Sequence, residues 1–164
     1  MAITMEQLQS HLRFYTRRLS DSCKERSTYC LNSDEDTAEL YYKGDRTVFE
    51  VSISIQEGGN FLQLQSKEYL FCQTSDPHAP ALFQALASAN ARTRLVKFAW
   101  DDRSGEIIAS ADTWLMDASI SQYQFYRVLI NYLSSLMRNY PRFRAILETG
   151  VAADSLDSPR VTEL

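Results

Sequence analysis

The sequence predicts an α+β fold: one antiparallel sheet of about five strands with helices packed on it, in the order α-β-β-β-α-β-β-α. Three observations predict it. Phe49, Val51, Ile53 and Ile55 alternate with Val48, Glu50, Ser52, Ser54 and Gln56, which describes a strand buried on one face and wet on the other. Glycine-bearing turns separate the strand-like runs, so consecutive strands fold back on one another. Stretches of helical periodicity open the chain, interrupt it once and close it.

Taken in order, Met5, Leu8, Leu12, Tyr15 and Leu19 recur at spacings of 3, 4, 3 and 4 and make one helical stripe. Thr4 is placed to cap that helix, which should end near Ser20–Asp21. Residues 22–37 are weakly patterned, with at most a short strand around Ser27–Leu31. The acidic run Asp34-Glu35-Asp36 there reads as a solvated loop, since no His or Cys is spaced to join it as a metal ligand. Ala38–Tyr42, the run from Val48 to Gln56, and Phe61–Gln65 form a meander, with turns at Lys43-Gly44-Asp45 and Glu57-Gly58-Gly59-Asn60. Asp76-Pro77 announces the second helix as cap and first helical residue, with Leu82, Phe83, Leu86 and Ala89-Asn90 facing inward. Leu95–Trp100 and Glu106–Leu115 pair across the turn Asp101–Gly105, and Ile107, Ala109, Ala111, Thr113 and Leu115 share a face. Ser119 with Gln122 predicts the capping box of a long helix running to about Tyr140. Pro141 should break or kink it, Arg142–Thr149 continues as a second piece, and Gly150 stops it. Residues 1–150 thus make one domain, and 151–164 a polar tail.

Composition narrows the chemistry. The 164 residues include only five glycines, Gly44, Gly58, Gly59, Gly105 and Gly150, and they fit neither G-x-G-x-x-G nor G-x-x-x-x-G-K. Nineteen rings (8 Phe, 9 Tyr, 2 Trp) and 45% apolar residues suffice for a core. A net charge of −4 has the wrong sign for neutralising a phosphate backbone, so no nucleic-acid partner is expected. No run approaches the roughly 20 apolar residues that span a bilayer, so no membrane partner is expected either. The N-terminal segment lacks the order of a signal peptide, and three cysteines are too few for a secreted framework, which points to the cytoplasm.

No residue set is expected to be catalytic, to bind a cofactor or to hold a metal. His11 and His78 lack partners at zinc spacing and read as surface or boundary residues. Ser22-Cys23 with His11 has nothing local to position a nucleophile and base. Asp101-Asp102 reads as turn chemistry. Asp112 stands mid-strand, where acids are depleted, and should face solvent. Basic residues gather at Arg13/Arg17/Arg18, Arg92/Arg94/Lys97 and Arg138/Arg142/Arg144, the last two sets able to make local positive patches.

The surplus is apolar. Tyr126, Leu129, Ile130, Leu133, Leu136, Met137 and Tyr140 suffice to pack the long helix on a sheet, while Phe125, Val128 and Tyr132 form a second stripe. Either that helix is sunk deeply in one core, or the second stripe contacts another chain. Phe125, Val128 and Tyr132 are therefore the candidate protein-interface residues.

Leu86-x-x-x-Asn90, Lys97-Phe98, Asp101 through Gly105-Glu106-Ile107, Asp112, the capped Ser121 and a helix closing on Tyr140-Pro141-x-Phe143 are together similar to the bacterial YbjN-type family. The resemblance is best over about residues 80–147. It implies the fold of the type III secretion chaperones and a small cytoplasmic protein, usually a homodimer, that binds other proteins and performs no known reaction. It also implies a structural role for Asn90, as a helix-ending amide. The leading expectation is a non-enzymatic, chaperone-like or regulatory domain that presents an apolar surface to a protein partner as a homodimer. The alternative is a small-ligand-binding protein or enzyme with a cleft on the sheet, using groups such as Asp112, Tyr41 or Tyr42. A third reading makes Cys23 and Cys30 a redox pair.

Overall fold

The computed structural model describes residues 3–32, 36–115 and 119–152, apart from the Ser22 side chain. Most of the acidic run at 34–36 and the tail from 153 lie outside these residues. The first helix, α1 (Met5–Arg18), begins on Thr4 as expected: its hydroxyl accepts from Gln7 N, and the Gln7 side chain accepts from Thr4 N at 3.0 Å. A single turn, α2 (Asp21–Lys24), leads to β1 (Ser27–Asn32), β2 (Thr37–Lys43), β3 (Val48–Gln56), β4 (Phe61–Lys67) and β5 (Leu70–Phe71). Then come α3 (Ala79–Arg92), β6 (Lys97–Trp100), β7 (Glu106–Trp114) and α4 (Gln122–Thr149). The architecture is α+β, with seven strands in one antiparallel sheet where about five were expected. The two extra strands are β1, whose pattern is weak because it sits at an edge, and β5, which is only two residues long.

β4 and β5 follow one another along one side of β7, and β6 lies on the other. Their registers differ by two residues (Leu64 opposes Ala111, Leu70 opposes Ile107), so a bulge separates them. Ser66 fills it: Ala109 N donates to its Oγ at 2.9 Å. Reading across, the sheet runs β1-β2-β3-β4/β5-β7-β6.

One face is the core. Val51, Ile53, Leu40, Leu62, Leu64 and Ile107 are wholly buried beneath α1, α3 and α4. The other face carries no helix among the described residues; one of its rows reads Cys30, Glu39, Ser52, Gln65, Ser110 and Lys97 in register.

Three helix boundaries differ from expectation. Helix α3 starts two residues late, with His78 at its cap and Pro80 in its first turn, while Asp76 instead accepts from His78 N at 2.8 Å in a turn of its own. The capping box of α4 is Ser121 with Gln124, not Ser119 with Gln122. Helix α4 also runs unbroken through Pro141 for 28 residues. Pro141 withholds one N–H, but the turns beyond it are held down by Phe143 (0% exposed) and Ile146 (3%). The Phe143 ring meets Phe98 edge-on at 5.2 Å. Tertiary packing outweighs the local preference to break. Gly150 ends the helix as expected, at φ 75° with its N–H bonded to Ile146 O.

Candidate functional site

The second stripe of α4 is not on the surface. Phe125 and Tyr132 are wholly buried, and Val128 is half-buried against the same core. Phe125 packs on the His11 ring of α1 at 5.3 Å, and the Tyr132 hydroxyl donates to Ala109 O of β7 at 2.7 Å. Helix α4 touches the sheet, α1 and α3 at once, which needs a wider apolar face than a helix on a sheet alone. Of the two readings of that stripe, the deeply sunk helix holds, and the interface expectation for Phe125 and Tyr132 is corrected.

His11 is also corrected: it is buried, with Nε2 2.9 Å from Ile120 O and no hydrogen-bond partner for Nδ1 among the described residues. Burial pushes its pKa down, against the opposing pull of the Ile120 carbonyl. The Ile120 carbonyl can only accept, so Nε2 carries the ring proton, and the lowered pKa favours the neutral imidazole packed in the core. His78 is half-buried, its ring against Gly150.

Asp101 is occupied by its own turn, accepting from Ser104 Oγ at 2.8 Å and Arg103 N at 3.1 Å, which lowers its pKa. Asp112 is exposed and accepts from Gln63 Nε2 at 2.9 Å. Tyr41 lies exposed on the open face, its pKa raised chiefly by Glu50, whereas Tyr42 is buried on the opposite, helix-covered face. Asp112, Tyr41 and Tyr42 are thus not brought into one cleft. Cys23 lies near Tyr42 on the covered side, while Cys30 is exposed on the open face. The sheet therefore separates the two thiols. No group of three or more His, Cys, Asp or Glu among the described residues is arranged to hold a metal.

Asn90 has a structural role, though not as a helix cap. Its Nδ2 donates to Phe98 O at 2.9 Å and its Oδ1 accepts from Phe98 N at 2.8 Å. Because β6 pairs β7 through the alternate residues (Asp101 N bonds Glu106 O), the Phe98 peptide groups point outward. Asn90 thus covers the β6 edge at Phe98, while the outward peptide groups of Trp100 have no partner among the described residues.

Among the described residues the β1 edge has no such cover. Lys43 N donates to Arg26 O, which fixes the alternation: Thr28, Cys30 and Asn32 bond to β2, while Ser27, Tyr29 and Leu31 turn their N–H and C=O outward. No backbone or side-chain hydrogen bond among the described residues reaches those outward groups. The strand STYCLN carries no charge and no proline, the usual blunting devices of an edge. Sequence pattern alone missed this feature, because which strand ends a sheet depends on the whole topology.

A second feature joins two of the basic sets. Arg92, Thr93, Arg94, Leu95 and Val96 face Asn131, Ser134, Ser135 and Arg138 across a cleft of about 290 Å³. No carboxylate among the described residues lines it. Lys97 turns away to donate to Asn90 O and Thr93 O, and Arg144 is paired with Glu148 at 2.7 Å.

No helix among the described residues is long and apolar enough to cross a membrane. Among solved structures, the chain is similar to the crystal structure of YbjN, "a putative transcription regulator", from E. coli: TM-score 0.55, 14% identity, 92% of this chain and 93% of that one. It also matches the HopA1–SchA chaperone–effector complex at TM-score 0.44 and 19% identity, over 78% of this chain and 93% of that one. No curated protein matches the sequence significantly. The profile of the YbjN family, described as "Putative bacterial sensory transduction regulator", matches residues 25–145. The chain belongs to the YbjN family.

Proposed function

We propose that the protein is a non-enzymatic, cytoplasmic protein-binding domain of regulatory or chaperone-like type, and that it acts as a homodimer joined through β1. The observation that carries this reading is the uncharged β1 edge, open at Ser27, Tyr29 and Leu31 among the described residues, set against a shorter β6 edge that Asn90 covers at Phe98. A strand edge of this kind is completed by another strand. An antiparallel edge is its own complement, and a strand without charges meets its copy without repulsion. With the two-fold axis at Tyr29, the pairs Ser27–Leu31, Tyr29–Tyr29 and Leu31–Ser27 exchange about six backbone hydrogen bonds, two for each pair. The open face of the joined sheets carries Trp114, 57% exposed and 4.8 Å from the Phe61 ring, as the apolar surface turned to a protein partner. The family's description as a regulator supports a binding role over a catalytic one.

Sedimentation velocity at tens of micromolar tests the reading. The wild type should run at twice its 18.8 kDa chain mass. Tyr29→Pro should run as a folded monomer, because its lost N–H serves no bond within the chain. Cys30→Lys, at an exposed position, should weaken the dimer through like charges brought across the axis. A monomeric wild type, or a dimer indifferent to both substitutions, contradicts it.

A further inference from the structure

We propose that the cleft between the α3–β6 connection and α4 is a binding site for a compact phosphate monoester. Its three arginines come from segments remote in sequence, and none lies within ion-pair distance of a carboxylate among the described residues. The chain as a whole carries more acids than bases, 21 against 17, so a pocket of positive charge with no counter-charge among the described residues is a local exception.

The polar groups in the cleft sort into two kinds. Thr93 Oγ1 is committed to Ala89 O and Val96 O, and Ser135 Oγ to Asn131 O. The Arg92, Arg94 and Arg138 guanidiniums, the Ser134 hydroxyl and the Asn131 amide have no side-chain partner among the described residues and remain as donors. Guanidinium forks match the oxygen pairs of carboxylate and phosphate. A single carboxylate would leave two of three cations uncompensated, whereas a phosphate monoester carries close to two charges at neutral pH and three terminal oxygens. The C-terminal carbonyls of α3 would repel an anion here. Lys97 Nζ answers two of them, at Asn90 O (3.2 Å) and Thr93 O (3.1 Å). Leu95 and Val96 provide an apolar wall for the ester carbon.

Size decides the source. A cleft of about 290 Å³ sits at the small end of ligand pockets, which span about 300–1,000 Å³. It suits a free metabolite better than a polymer, and the net charge of −4 opposes a nucleic-acid backbone. The phosphate is held by arginines, consistent with a sequence that contains no glycine phosphate loop. The site lies at the β6 end of the sheet, opposite β1, so it stands or falls independently of the dimer.

The test is an NMR titration of the full chain with glycerol 3-phosphate at constant ionic strength and about pH 7.5, above the second phosphate pKa of about 6. Saturating shifts are expected at the amides of residues 93–96 and 131–135. Arg138→Glu should weaken binding by about tenfold or more, and Arg138→Lys by less. Arg17→Glu makes the same change of net charge at an exposed position on α1 and should leave binding within about twofold. Linear, unsaturated shifts, or equal losses in Arg138→Glu and Arg17→Glu, would overturn the site. Tighter binding of a phosphoserine peptide or of single-stranded DNA than of glycerol 3-phosphate would overturn the small-molecule assignment.

Discussion

At the scale of single residues, two polar side chains and one glycine bear directly on the stability of the fold. Asn90 gives both ends of its amide to the Phe98 backbone, and each such bond contributes about 0.5–1.5 kcal/mol. Asn90→Ala should therefore lower unfolding free energy by about 1–3 kcal/mol, read from chemical denaturation. His11 gives a pH signature. Its folded pKa lies below the unfolded value of about 6.5, so the unfolded chain binds the proton more readily. Stability from this group is full above about pH 6.5 and declines as pH falls toward the folded pKa. Melting temperatures between pH 7.5 and 5.5 should show a decline that His11→Gln reduces; an unchanged slope would remove His11 as its cause. Gly150 combines φ 75° with the His78 ring, whose Nδ1 would lie 2.7 Å from an added Cβ. Gly150→Ala should cost about 1–2 kcal/mol.

Local rules located most elements and misplaced some of their ends. The alternation over β3 and the stripe of α1 were legible, because each buries one face against a single layer. Helix α4 was legible in existence but not in depth. A helix touching a sheet and two flanking helices needs an apolar face as wide as the one its sequence carries, and periodicity cannot tell that from a helix with a spare face. Its start was misread because two Ser-x-x-Gln signatures overlap, and the one used is that of Ser121 and Gln124. Pro141 predicts a break or kink because its local cost is real, and the burial of Phe143 and Ile146 outweighs it. That cost should be recoverable. Pro141 is exposed, and Pro141→Ala should raise stability by about 1–2 kcal/mol, less than the full helix-interior penalty because proline also restricts the unfolded chain. Unchanged or lowered stability would mean that the helix is adapted to the missing N–H.

For the whole molecule, the asymmetry of the sheet edges is the feature from which function is read. Neither edge could be assigned from sequence, because β1 is weakly patterned and β6 is only four residues long. The same holds for the arginine cleft: two basic sets were visible, but only the fold sets Arg138 opposite Arg92 and Arg94. The most direct test of the central claim is amide hydrogen exchange at Tyr29, whose N–H points away from β2. Pairing of β1 with a second copy predicts protection at Tyr29, and at Ser27 and Leu31, that rises with protein concentration. Fast exchange of these three amides at every concentration, while the inward amides of Thr28 and Cys30 stay protected, would contradict it.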